Sequence, residues 1–341
     1  MDASKFIIIG ENIHCTRVLK REGKSVTRTE TGAEAIVYAV DGKNRFLAIP
    51  DVFKKTADWE AGKVKHCSVA VWQGMHGDAA GKAAGVDYLQ TQARKQAAAG
   101  AGFLDVNVDE FGSDVPDRVA AMKWIAKIVQ EAAKVPLSID SSNPVILKAG
   151  LESCDPARGQ PMVNSVSLER VSSIAVAAQF KAAVVASAAG EKDLPSTTEE
   201  RLRNLDELMP KLAAAGIRTP SIYVDPLVFP IGTDPNNGKY FIDAVAAIRQ
   251  KYGPEIHIVG GLSNVSFGMP ARKLINQIFT YLAVEAGADG GIVDPLQINR
   301  KMLASVQTES ESFKLAKALL TGEDMFGAEF ITAHREGRLE G

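Results

Sequence analysis

From about residue 87 onward, short runs rich in β-branched residues alternate with longer Ala-rich segments whose apolar positions recur at helical spacing. That alternation predicts βα units around a parallel sheet. Eight strands are predicted, at Phe6–Glu11, Phe103–Val108, Pro136–Asp140, Met162–Ser167, Ala182–Ser187, Ser221–Asp225, His257–Asn264 and Gly290–Asp294. The helical segments include Tyr88–Ala99, Asp114–Ala133, Asn143–Leu151, Thr198–Ala215, Lys239–Tyr252, Ala271–Ala286 and Gln297–Leu320. Gly100 and Gly216 stand where helices should stop, and Asn143-Pro144 reads as an N-cap followed by Pro in the first turn. Eight such units predict an α/β fold, a (β/α)8 TIM barrel, with an open doubly wound sheet as the architectural alternative.

One stretch departs from the alternation, an insertion at about 15–86 between the first strand and the first barrel helix. Within it, Ala35–Val40 and Arg45–Ile49 flank Asp41-Gly42, a hairpin turn signal. The segment also carries Phe53, Trp59, Trp72, His66, Cys67 and His76. Phe53, Trp59 and Trp72 read as a small core in preference to a partner-docking surface. Residues 1–321 are expected to form a single barrel domain, and the charged stretch 322–341 a C-terminal arm or peripheral helix. There is no internal repeat.

Composition narrows the partners. Of the 341 residues 46% are hydrophobic and 23% charged, and the net charge is −2, so neither nucleic acid nor an anionic membrane is indicated. The N-terminus lacks a basic n-region, and no run approaches the ~18 apolar residues of a membrane span. Cys15, Cys67 and Cys154 are odd in number and far apart, which fits reduced thiols and a cytoplasmic location. Their spacing with His14, His66 and His76 matches no zinc pattern, and no metal is expected.

The chemistry concentrates at the predicted strand ends, where barrels of this kind place their sites. Glu11 closes the first strand, Asp105 and Asn107 lie in the second, and Asp140 closes the third. Asn164 lies in the fourth, Asp225 closes the sixth, Asn264 lies in the seventh, and Asp294 closes the eighth. A single Asp at such a junction is as often a helix cap as a ligand group. Asn143 can do the capping after Asp140, however, and both Asp225 and Asp294 precede Pro, which favours extended backbone. Seven strands of eight ending in an acid or amide point to a ligand site with a net-acidic lining. Carboxylates on separate strands suit neither phosphate nor a compact metal site as well as a heterocycle with an N–H/NH2 edge. A carboxylate can accept both hydrogen bonds of a 2-amino-pyrimidinone, and an Asn beside it can donate and accept.

The segments IIIGENI, AGAGFLDVNV, PLSIDSSNP, MVNSVSLE, YVDPLVFP and GLSNVSFGMPARKLIN, in this order, closely resemble the pterin-binding methyltransferase family. That family includes the methyltetrahydrofolate:corrinoid protein methyltransferases and the folate domain of cobalamin-dependent methionine synthase. Dihydropteroate synthase is a more distant relative. The resemblance implies that Asp140, Asn164 and Asp225 hydrogen-bond the pterin ring, with Glu11 and Asp294 beside them. It implies that Asn264 contacts N5, the atom bearing the methyl group, and that Arg272 lies near the folate. Phe267 stands where some members have Gln. Asp105 and Asn107 resemble residues that order water or the corrinoid face.

The implied reaction moves a methyl group between 5-methyltetrahydrofolate and the cobalt of cobalamin, in either direction. No Asp-x-His-x-x-Gly signature accompanies any histidine, so the corrinoid is expected on a separate corrinoid-binding protein. A homodimer is expected. Two other readings stay open, a dihydropteroate synthase-like condensation and a non-catalytic folate-binding subunit. Against the condensation, the chain lacks the Asn-x-Thr-x-Asp-Ser-Phe loop and a Lys-rich pyrophosphate site.

Overall fold

The computed structural model describes residues 3–30 and 32–339. Eight parallel strands form one sheet: β1 (Ile7–His14), β2 (Phe103–Asn107), β3 (Leu137–Asp140), β4 (Met162–Val166), β5 (Ala183–Ser187), β6 (Ile222–Asp225), β7 (His257–Ile258) and β8 (Gly290–Val293). Their order is β7-β6-β5-β4-β3-β2-β1-β8, so each strand follows its sequence predecessor around the sheet. Helices alternate with the strands, as the βα pattern requires, and the fold is the TIM-barrel class. Among the described residues, no helix is long and apolar enough to cross a membrane.

The chain divides into two compact units, one of Met1–Gly10, Ala99–Gly102 and Met162–Gly341, the other of Glu11–Ala98 and Phe103–Pro161. In the first unit, β4, β5, β6 and β7 pair in parallel succession. β8 pairs with Ile7–Gly10 of β1, and Ile292 N–H donates to Gly260 O at 2.8 Å, which joins β8 to the chain leaving β7. The helices here are Ser172–Gln179, Thr198–Ala214, Asn237–Tyr252, Arg272–Ala286, Arg300–Ala304, Glu311–Thr321 and Ala328–Arg335. Thr197 and Glu200 close a capping box at the start of Thr198–Ala214. Gly216 ends that helix at φ 78°, where Ile217 N–H reaches back to Leu212 O at 3.0 Å.

Two expectations for this unit change. The seventh strand is only His257–Ile258, and Leu262–Ser266 is a 3-10 turn that carries Asn264 off the ladder. Gly260 and Gly261 weaken the strand there, and Ser266 Oγ satisfies Ser263 O locally. The segment expected as one helix, Gln297–Leu320, breaks into Arg300–Ala304 and Glu311–Thr321, because Asn299 and Ser310 each cap a separate start.

In the second unit, β2 and β3 pair from Leu104–Leu137 to Asn107–Asp140. Asp114 caps helix Val115–Ala132, and Asn143 caps helix Pro144–Glu152 by accepting from Val145 N–H at 2.8 Å. The insertion is richer in strands than the hairpin alone. Glu34–Val40 and Lys43–Ala48 pair across Asp41-Gly42, both at positive φ as a tight hairpin requires, and Val26–Arg28 adds a third strand. Val18–Lys20 pairs separately with Lys63–Lys65. The hairpin is fastened to helix Ala79–Ala98, where Tyr38 meets Tyr88 edge-on at 5.0 Å and donates to Asp87. Phe53, Trp59 and Trp72 are half-buried and do not form the expected core. They line an open cavity of about 460 Å³ with Val64, Phe111 and His76.

Helix His66–His76 crosses Ala79–Ala98 at glycines. A Cβ on Gly85 would lie 2.4 Å from Ala70 O and 2.6 Å from Gly74 N, backbone atoms that cannot yield cheaply. Gly85→Ala is expected to destabilise the protein by about 1–3 kcal/mol through overpacking. Thermal melting of the purified variant checks this; an unchanged Tm would mean that the helices separate without cost.

Candidate active site

In the second unit, three neighbouring strand ends collect acids, an amide and an imidazole. β1 runs three residues beyond the expected Glu11, to His14, and Cys15 N–H then donates to Asn107 O at 2.9 Å. That bond sets His14 beside β2. His14 Nε2 lies 2.5 Å from Asp105 Oδ2 and 3.8 Å from Asp140 Oδ2. Asn107 Nδ2 donates to Asp140 Oδ2 at 3.0 Å, and Asn107 Oδ1 accepts from Asp109 N–H. Asp109 in turn takes hydrogen bonds from Ser141 Oγ, Ser142 N–H and Ser142 Oγ, just past Asp140. Glu11 is engaged by Arg17 at 2.5 Å. Period-two alternation puts Asp105 and Asn107 on one face as expected, and there they meet His14 and Asp140 respectively.

Charge at these strand ends is held under tension. Burial and the neighbouring Asp105 charge push the Asp140 carboxyl up to about 7, against the lowering effects of His14 and the Asn107 hydrogen bond. Burial pulls His14 down, but the hydrogen bond and charge of Asp105, with Asp140 and Glu11, raise it overall. One nitrogen and two carboxylate oxygens here lie within 4.8 Å of one another, a set that divalent cations use. The 2.5 Å separation of His14 from Asp105 is, however, a charge-assisted hydrogen bond. A cation about 2.0–2.2 Å from each atom would hold them farther apart.

In the first unit, Asn164 pairs with Val185, and the ladder then shifts by one residue before Ala186–Val166. Asp225 ends β6, and its Oδ1 accepts from Leu227 N–H at 2.8 Å. Burial pushes its carboxyl up to about 6, opposed by the Leu227 bond and the Arg201 charge. Arg201 is 1% exposed and donates to Pro226 O and Thr197 O, so a buried cation stands behind this strand end. Asn264 is exposed on its turn. Arg272 braces that turn, donating to Ser266 Oγ at 3.0 Å and Ser263 O at 2.9 Å, with Phe267 beside it. Asp294 accepts from Leu296 N–H and Gln297 Nε2, so it shapes the turn after β8.

The structure therefore brings together Asp105, Asn107 and Asp140 in one unit, and Asn264 with Arg272 in the other. Sequence reasoning missed His14, Asp109 and Arg201 as parts of these neighbourhoods. His14 had a usable signal, since it continues the polar end of β1. The remaining leftovers are structural. His66 accepts or donates with Tyr88 at 3.0 Å in a buried site that lowers it to about 4, and burial pushes the Cys15 thiol up to about 12. His257 pairs with Asp289 at 2.7 Å and stacks on Tyr223.

Parallel βα units whose strand ends carry carboxylates and amides define a TIM-barrel chain, the class whose sites lie at the strand ends. The chain belongs to the pterin binding enzyme family, whose model matches residues 79–294. It is 34% identical over 258 residues to a methylcorrinoid:tetrahydrofolate methyltransferase of Eubacterium limosum, covering 74% of this chain and 89% of that one. It is 32% identical over 220 residues to a methionine synthase of Mycobacterium tuberculosis, covering 60% of this chain but 18% of that much longer one. Among solved structures, a Yersinia pestis dihydropteroate synthase with a pterine-sulfa conjugate aligns with a TM-score of 0.52. It is 16% identical and covers 64% of this chain and 87% of that one, a likeness of fold alone.

The Asp140 carboxyl is harder to ionise in the fold than its ordinary value of 3.8. The stability it contributes is therefore present at acid pH and lost as pH rises through about 7. Asp140→Asn, which stays neutral, is expected to raise Tm at pH 8 more than at pH 5. Melting curves of both proteins across that range decide it; a difference independent of pH would contradict the assignment.

Proposed function

We propose that this chain moves a methyl group between N5 of methyltetrahydrofolate and the cobalt of a corrinoid carried by a separate protein. The observation that carries the reading is the likeness to the Eubacterium limosum methyltransferase, which extends over 89% of that protein. It is supported by the residues at the strand ends. Asp140, Asn164 and Asp225 would hydrogen-bond the pterin ring, with the carboxylates accepting from its N–H and NH2 groups. The Asp140 and Asp225 carboxyls are recessed and harder to ionise than usual, and N–H donors on a bound ligand would favour their anionic forms.

Asn264 would work at N5. Breaking the N5–methyl bond leaves an amide-like anion unless N5 gains a proton, so the leaving group needs help in the transition state. A carboxamide can donate to neutral N5 or accept from N5–H+, and its interaction can strengthen as charge develops. Arg272 would serve by fixing the turn that carries Asn264. Asp105 and Asn107 would act through the groups they bond, His14 and Asp140. Glu11 and Asp294 would shape the surroundings. The corrinoid supplies the nucleophile for the methyl group in one direction and the methyl group itself in the other.

Mixing the purified chain with 5-methyltetrahydrofolate and cob(I)alamin, and following the cobalamin spectrum, tests the reading. Conversion to methylcobalamin is expected. Folate binding without any transfer would instead leave a folate-binding subunit. Asn264→Ala is expected to keep most folate affinity and slow transfer by about 10²-fold, the scale of removing one donor aimed at developing charge. Asp225→Asn is expected to weaken folate binding by about 10-fold or more, because a charged acceptor is lost. Titrations with 5-methyltetrahydrofolate separate the two effects; equal losses of affinity in both variants would defeat the division of roles.

A further inference from the structure

We propose that His14 is a positioning residue, a cation set between Asp105 and Asp140 that keeps Asp140 in the anionic form a pterin edge needs. The inference rests on the reading of Asp140 as a pterin acceptor. It adds a residue outside the span 79–294 that the family model matches.

The geometry is specific. His14 is the last residue of β1, and its side chain is only 15% exposed. Nε2 donates to Asp105, a residue with no exposed surface, and the next carboxylate oxygen it faces is Asp140 Oδ2 at 3.8 Å. Glu11 on the same strand adds negative potential at His14, and its own carboxylate is held by Arg17. Asp140 faces Asp105, Asp109, His14 and the Asn107 amide, three acidic or cationic neighbours and one donor. Two carboxylates so close to Asp140 would keep it protonated, and a protonated carboxyl offers a donor where the pterin also donates. An imidazolium placed against Asp105 offsets that repulsion, and at 3.8 Å it also attracts Asp140 directly. A neutral imidazole at the same place would leave both carboxylates uncompensated.

Two substitutions should move the pH dependence of binding in opposite directions. His14→Gln keeps a hydrogen-bond donor for Asp105 but removes the charge. Its affinity for 5-methyltetrahydrofolate should fall about 10-fold at pH 7 and recover towards the parent value at pH 9, where Asp140 ionises unaided. Asp105→Asn removes the repelling carboxylate, so its binding should persist to lower pH than in the parent protein. Calorimetric titration of the full chain from pH 5.5 to 9 reads both. A His14→Gln loss that is constant across pH marks a merely structural role and overturns the proposal.

A folate-free measurement separates this failure from failure of the proposed function. Nitrogen chemical shifts of the His14 ring should report an imidazolium at pH 7, and the shifts should respond to Asp140→Asn. A neutral ring at pH 7 overturns the inference whether or not folate binds. A charged ring in a protein that binds no folate at any pH instead removes the pterin reading on which the inference rests, and the inference with it.

Discussion

A carboxylate withdrawn from water must find donors or take up a proton, and this requirement organises the strand ends. Each acid meets it differently. Glu11 has Arg17, Asp105 has His14, and Asp294 has a turn amide and Gln297. Asp225 has the Leu227 amide with the Arg201 charge behind it, and Asp140 has one bond from Asn107. The last two are the least satisfied, and theirs are the carboxyls whose ionisation burial makes harder. Under the proposed function, N–H groups of a ligand would supply what each of these carboxyls lacks. On that reading binding and stability are opposed at these positions, as at many functional sites.

Much of the barrel was legible in the chain because both of its signals are local. Strand runs such as Phe103–Val108 and the stops at Gly100 and Gly216 depend on nearest neighbours and on φ, which a sequence displays directly. The errors fell where tertiary context overruled a local pattern. The run His257–Asn264 looks apolar enough for a long strand, yet two glycines release it after Ile258 and Asn264 ends on a turn. The end of β1 was placed too early, because Asn12 and His14 are polar yet stay in the strand. There Gln96 accepts from Asn12 N–H and Cys15 N–H reaches β2, two partners distant in sequence. Arg201 gave no warning at all, since a lone arginine in an amphipathic helix ordinarily faces water.

The insertion was the least legible part, and its role near β1 explains its upkeep. Its helix His66–His76 sends Cys67 Sγ to Asn12 O and Ser68 Oγ to Cys15 O, on either side of His14. The same segment is tied outward by Gln73 to Ala48 O and by Arg45 to Asp87. A stretch that looked like an appendage therefore clamps the backbone flanking the imidazole. This clamping is done by small and polar side chains, and Phe53, Trp59 and Trp72 stay half-buried around their cavity.

Asp109 carries a consequence of another kind. By bonding Ser141 and Ser142 it fixes the chain immediately after Asp140, while Asn107 holds the carboxylate itself. The loop has thus given up its conformational freedom during folding. A ligand bound at this corner, as proposed, would need little further ordering, because the entropy normally lost when a mobile loop closes on its guest is already spent. Under the proposed function, recognition here would work as docking onto a preformed edge, with selectivity set by the pattern of donors that edge accepts.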